Sequence, residues 1–328
     1  MVMKIGVEIK NLPEILECLY FGLTQTTYLW KTFNMLARWK QFDLLENYLK
    51  QPMFNIHTEN QDKFIVRAIK MTAFFATMYR TSVGLTIIFF AIFPYIEHTT
   101  PLPGWFPINT DKYQFIIYVY QLCALILNGY NHTSLDCINA AMISLASSQF
   151  EILKDNLQNV TNDLPKNEKN KNRLITKRLR RNIDHHNMIL NFVKEIEEMY
   201  STGIFIQFLC SIIIMCVTGF QVFVMSPKKI QYVTLVLYFF CNLNQVAIYS
   251  WFGHDILDKS SGVGEACYMS EWNTLNPNVN KYLFIIMERS KIPTILTAGK
   301  FFNLTLGTLM MILRTSYSYL AVLKQMYN

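Results

Sequence analysis

Arg80 and Arg314 stand inside long apolar runs and Lys300 near the start of one, positions where a charge is costly unless something meets it. The chemistry open to such cations is electrostatic: lining water, meeting an ion, or pairing with a buried acid. No intramembrane acid is obvious for Arg80, so an inward-facing or water-lining role stands beside an ordinary structural one. Lys31 and Arg314 can snorkel towards an interface, and Lys300 can anchor the cytoplasmic start of the last run. Within Ile312 to Met326 small and hydroxyl residues alternate with apolar ones, which suits either a helix-packing face or a pore lining. Catalytic constellations are missing: there is no His-Glu-x-x-His, no Gly-x-Ser-x-Gly and no phosphate loop ending in Gly-Lys-Ser/Thr. Gly262-Val263-Gly264 reads as a flexible loop and His185-His186 as solvated on a basic helix. The sequons at Asn131, Asn159 and Asn303 fall in spans or a cytosolic loop and are read as unused. No enzyme activity, metal or cofactor is expected.

The elements that must hold these groups are set by composition. The 328 residues are 52% hydrophobic and only 16% charged, with the charges gathered into a few inter-helical stretches, so the apolar sequence between them must face lipid. The net charge of +7 sits in loops flanked by span-length apolar runs, which points to membrane orientation and not to nucleic acid. Cys18, Cys123, Cys137, Cys210, Cys216 and Cys241 lie in apolar runs and Cys267 in a polar loop, which gives no disulfide framework. Met1 to Lys10 does not resemble a cleavable signal.

Six runs reach the roughly 20 apolar residues that a bilayer core requires: 12–36, 71–96, 113–147, 202–225, 230–252 and 294–318. The first carries Glu14, Glu17 and Lys31, and a surface-lying amphipathic helix is its alternative. Pro94, Pro227 and Pro293 punctuate run ends. Helical spacing of Ile183, Met188, Ile189, Phe192, Ile196 and Met199 predicts helices continuing over 148–160 and 183–201, beyond the membrane. Their apolar faces need neighbouring helix ends or another subunit. The polar stretch Leu164 to Arg173 reads as a linker. This divides the chain into spans of a first bundle (12–147), cytosolic helices and a basic linker (148–201), two spans (202–252), a cytosolic loop or helix (253–293) and the last span with an external C-terminus (294–328). Lys and Arg number twenty in the loops 37–70, 148–201 and 253–292, against six in the alternate set. The first set is therefore cytoplasmic and the C-terminus outside. A G-protein-coupled receptor needs the opposite C-terminal orientation. A transporter would show internal repeats or matching broken spans, and neither is evident.

Four stretches together resemble the insect odorant receptors. They are Thr315 to Leu323 with its Ser316-Tyr317-Ser318-Tyr319, Ala298-Gly299-Lys300-Phe301, the Leu-Pro-x-Trp-x-Pro-like Leu102 to Pro107, and Ala247-Ile248-Tyr249-Ser250-Trp251. Ser318-Tyr319 followed by Gln325-Met326 also approximates the signature of the related gustatory receptors, while the doubled Ser-Tyr favours the odorant branch.

The resemblance covers the chain from about residue 12. It implies an all-α polytopic membrane bundle of seven spans, one more ahead of the first run read here, with long helices extending into a cytosolic anchor. It implies an odorant-binding subunit of an odorant-gated cation channel in the plasma membrane of olfactory sensory neurons. The last helices of four subunits would surround the pore, in a heterotetramer with a shared co-receptor. By alignment, Val322 and Met326 match the hydrophobic constriction and Gln325 a polar pore residue. The family pocket lies among the spans that are first, second, third and fifth here, which makes Tyr20, Thr24, Thr86, Ile87, Phe90, Tyr118, Leu122, Val236, Phe239 and Phe240 the ligand-site candidates.

Overall fold

Helix-forming sequence runs far past the length a bilayer needs, and the computed structural model shows where the surplus goes. It describes residues 12–97, 101–102, 112–162, 168–225 and 229–327. Nearly all of them are helical: α1 Leu12–Ala37, α2 Trp39–Lys50, α3 Pro52–Asn55, α4 Asp62–Glu97, α5 Gln114–Gln158, α6 Glu168–Phe223, α7 Lys229–Ser261, α8 Val263–Met269, α9 Pro277–Ser290 and α10 Leu306–Tyr327. A short hairpin, β1 Thr297–Ala298 with β2 Phe302–Asn303, precedes α10. Most of the motif Leu102 to Pro107, part of the linker from Leu164, and Pro227 lie outside the described residues.

Helix α6 has 56 residues, about 84 Å at 1.5 Å per residue, against a hydrocarbon core of about 30 Å. The apolar face of its N-terminal excess is covered by neighbouring helix ends of the same chain. Phe192, Val193 and Ile196 join a core with Leu45 of α2, Phe54 of α3, Phe150 and Leu153 of α5, and Leu283 and Ile286 of α9. Helix α9 starts at Pro277, whose missing N–H costs nothing there, and Asn276 caps it by accepting from the Asn278 amide at 3.0 Å. Asn276-Pro277 therefore opens a helix.

His185 and His186, expected to be solvated, are buried in this core. His185 Nε2 lies 3.0 Å from Gln149 Oε1, and the His186 ring packs edge-on to Phe150. Burial, aided by Arg181 near His185 and Arg289 near His186, pushes both imidazoles down to about 4. The unfolded chain takes up protons near the ordinary value of about 6.5 while the fold resists them. Stability present at neutral pH is then lost as pH falls from about 6.5 towards 4, on the order of 3 kcal/mol per histidine at the limit. Replacing both with glutamine should flatten that stretch of a detergent-solubilised melting curve against pH. An unchanged slope would assign the acid sensitivity to other groups.

Among the described residues, Asp62–Ile96, Lys171–Phe223, Gln231–Met269 and Leu306–Met326 are long and apolar enough to cross a membrane by length and composition. Helices α1 and α5 are less apolar, and polar groups on them meet each other: Lys31 of α1 pairs with Asp136 of α5. Lys31 therefore does not snorkel. Helix α6 is the central pillar, with 67% of its apolar stretch buried, against 11% in α4 and 17% in α10, which lie at the periphery.

Two run ends move. Helix α4 continues through Pro94 to Glu97. The last span begins at Leu306 and not at 294, because 294–305 forms the hairpin instead of helix. Gly299 and Lys300 both adopt positive φ, 60° and 63°, and the Phe301 amide donates to the Ala298 carbonyl at 3.1 Å, which closes a tight turn. A side chain at Gly299 would stand 2.7 Å from the Phe205 ring. The Gly299 amide donates to Ser201 Oγ at 2.8 Å, which fastens the turn to α6. Lys300 is thus an exposed turn residue ahead of the span, while Arg80 and Arg314 are exposed on the surface of the chain.

Candidate functional site

Four helices converge on one cavity of about 110 Å³, and each presents the face that helical periodicity selects. Helix α1 supplies Phe21, Thr24, Gln25 and Tyr28; α5 supplies Leu125, Asn128, Gly129 and His132; α7 supplies Tyr238, Cys241, Asn242 and Gln245. In each the spacing is i, i+3, i+4, i+7. Helix α4 adds Tyr79, Val83, Thr86, Ile87 and Phe90. These helices are the first, second, third and fifth runs of the sequence.

Aromatic rings wall one side, with Phe21 and Phe90 centroids 5.1 Å apart and Phe90 and Tyr238 6.2 Å apart. The Thr24 and Tyr238 hydroxyls bond each other. Thr86 Oγ1 donates to the Ser82 carbonyl at 2.8 Å and lies 3.1 Å from Cys241 Sγ. Gly129 keeps the cavity open, since a Cβ there would stand 3.1 Å from the Ile87 side chain and 3.2 Å from Val83.

The floor is polar. Lys31 Nζ lies 2.6 Å from Asp136 Oδ1 and 3.1 Å from His132 Nε2. Gln245 Nε2 donates to Asp136 Oδ2 at 2.5 Å and also meets His132 Nε2 at 3.0 Å. Tyr249 donates to the same carboxylate, and Tyr79 does so at 3.4 Å. Gln207 of α6 donates to Gln245 Oε1 at 2.7 Å, tying the floor to the central pillar. Each donor removes part of the desolvation cost of burying the ion pair, which would otherwise be unfavourable in this setting.

Of the ten ligand-site candidates, the structure brings Thr24, Thr86, Ile87 and Phe90 to the cavity. Tyr20 is buried behind the wall, its ring 5.0 Å from that of Tyr238. Tyr118 donates to the Ala91 carbonyl at 2.9 Å, and Leu122, Val236, Phe239 and Phe240 lie off the cavity, Phe240 half exposed. Helix α7 lines it through 238, 241, 242 and 245 instead. The usable signal was the polar periodicity: Tyr238, Asn242 and Gln245 on α7, and Asn128, His132, Asp136 and Asn139 on α5, repeat at three and four residues inside apolar sequence.

On α10 the doubled Ser-Tyr divides. Ser316 is buried and donates to the Ile312 carbonyl at 2.9 Å and to Ile212 of α6 at 3.3 Å, while Tyr317 and Tyr319 are exposed. Leu320 packs over Gly219 of α6. Val322, Gln325 and Met326 are exposed on the chain surface.

The sequence matches the 7tm odorant receptor family model over residues 11–317. The chain belongs to the insect odorant receptor family. Individual relatives are distant: it is 30% identical over 149 residues to putative odorant receptor 85d of Drosophila melanogaster, covering 45% of this chain and 36% of that one. To odorant receptor Or1 of Anopheles gambiae it is 21% identical over 357 aligned positions, 97% of this chain and 83% of that one. The match thus spans about a third of the first relative's length and most of the second's. The structure of the insect olfactory receptor OR5 from Machilis hrabei in complex with eugenol superposes with a TM-score of 0.83 at 16% identity, covering 99% of this chain and 84% of the other. The receptor therefore shares the all-helical membrane fold that the sequence implies.

Proposed function

We propose that this odorant receptor is the ligand-binding subunit of an odorant-gated, non-selective cation channel, completed by the shared co-receptor in a heterotetramer in the plasma membrane of olfactory sensory neurons. The observation that carries this reading is the path from cavity to last helix. Cavity-lining Gln245 accepts a hydrogen bond from Gln207 of α6, and α6 is the helix on which Ser316 and Leu320 of α10 pack. An odorant that binds better when the floor has shifted also favours the α10 position linked to that shift, so opening reflects its differential affinity for two states. The Machilis hrabei relative whose complex contains eugenol supports a small, largely apolar ligand here. Thr24, Thr86, Ile87 and Phe90 serve as wall, with Tyr20 behind them.

Val322 and Met326, with Gln325 beside them, form the constriction. Their exposure on the single chain suits side chains that meet their counterparts around a shared axis, where an apolar ring closes by dewetting. Whole-cell recording from cells expressing the receptor with a co-receptor tests the reading. Odorant-evoked cation current is expected from the pair and not from the receptor alone, and Val322→Ser should add ligand-independent current. Absence of current from the pair at verified surface expression, over a broad odorant panel, would overturn it. Gly129→Ala provides a finer check. Crowding Ile87 and Val83 should cost about 1 kcal/mol, roughly a fivefold rise in half-activating concentration, without loss of surface protein.

A further inference from the structure

The cavity's polar groups are not all spent. Thr24 and Tyr238 satisfy each other, Thr86 bonds within α4 and to Cys241, and His132 and Gln245 are committed to the Lys31–Asp136 pair. Asn242 differs. It is 7% exposed, it lines the cavity, and its Oδ1 meets no protein partner. A buried carboxamide oxygen without a partner is costly, and a ligand that supplies the missing hydrogen bond recovers that cost on binding.

Charge narrows the class further. Among the described residues no Lys, Arg, Asp or Glu lines the cavity, and the nearest ion pair lies behind the floor with its carboxylate already met by Lys31, Gln245, Tyr249 and Tyr79. An ammonium or carboxylate would enter with nothing to compensate it. Volume bounds the body: a dry apolar cavity of about 150 Å³ takes benzene, so about 110 Å³ limits the ligand to a short chain or at most one small ring.

Resting on the odorant-channel reading above, we infer that this receptor is tuned to small neutral odorants bearing a hydroxyl group, which Asn242 anchors while the apolar body lies against Phe21, Ile87 and Phe90. A hydroxyl both donates and accepts, so it matches the carboxamide whichever of its two atoms faces the ligand. An ether can only accept.

The test is a panel of isomeric alcohol and methyl-ether pairs, benzyl alcohol with anisole among them and straight-chain pairs beside it, with the matching amines, applied to cells expressing receptor and co-receptor. Within active pairs the alcohol should act at about tenfold lower concentration than its ether, the amines should be inert, and Asn242→Leu should erase the alcohol's advantage over its ether. Asn242→Ser reads the same effect with a smaller change in packing if Asn242→Leu does not reach the surface. Equal potency of alcohols and ethers overturns the hydroxyl assignment, and an advantage that survives both variants overturns the role of Asn242. Either result leaves the channel reading standing, because ligands still open current. Silence across the whole panel and across unrelated odorants removes the channel reading and this inference with it.

Discussion

Lys31→Met is expected to remove most of the correctly folded receptor from the cell surface. The substitution leaves Asp136 buried at 1% exposure without its cation, and breaking one side of such a pair costs about 3–5 kcal/mol, close to the whole stability of many domains. The neutral donors Tyr249, Gln245 and Tyr79 remain but carry no compensating charge. Removing the other charge as well, in Lys31→Met with Asp136→Asn, should recover much of the surface protein, since the amide oxygen can still accept from Gln245 and Tyr79 while the amide NH2 donates to the Tyr249 hydroxyl. Surface biotinylation of the three forms reads this directly. A single variant at wild-type level would show that the pair contributes little.

The second large effect is expected at Gly253 of α7. A Cβ there would stand 2.3 Å from Leu304 Cβ and 2.5 Å from its carbonyl oxygen, so relief requires backbone movement and not a rotamer change. Leu304 cannot give way easily: it is buried, and its amide donates to the Leu296 carbonyl at 2.8 Å. Gly253→Ala should cost at least about 3 kcal/mol by overpacking and push the hairpin, with the start of α10, away from α7. Size-exclusion profiles of the detergent-extracted protein should show aggregation or loss. A normal profile with normal thermal stability would mean that the approach is looser than described.

Much of the fold was legible because bilayer physics writes it in long strokes. Apolar runs punctuated by charge located the long helices, and the 3.6-residue spacing from Ile183 to Met199 showed that the helix of the fourth run begins well before residue 202. What escaped depended on contacts between distant positions. Lys31 and Asp136 are 105 residues apart, and neither one's own helix shows that the other answers it. The two histidines looked solvated because the sequence around them is basic, whereas α6 is enclosed there by α3, α5 and α9. The stretch 294–305 looked like the start of a span because it is apolar, although its β-branched residues and Gly299-Lys300 carry a hairpin signal. At the cavity, the choice of helices follows from the family resemblance, and on α7 the bulky apolar 236, 239 and 240 lie off the inward face, which is marked by its polar members.

The most direct test of an odorant cavity among α1, α4, α5 and α7 is a paired dose–response recording with co-receptor at matched surface expression, comparing Thr86→Trp with Phe240→Trp. Thr86 lines the cavity, and Phe240, 50% exposed, lies off it on α7. The account predicts that Thr86→Trp abolishes the odorant-evoked current while Phe240→Trp leaves its half-activating concentration within about twofold of wild type, as expected for surface substitutions. Retained sensitivity in Thr86→Trp, with loss in Phe240→Trp, would contradict it and place the ligand elsewhere.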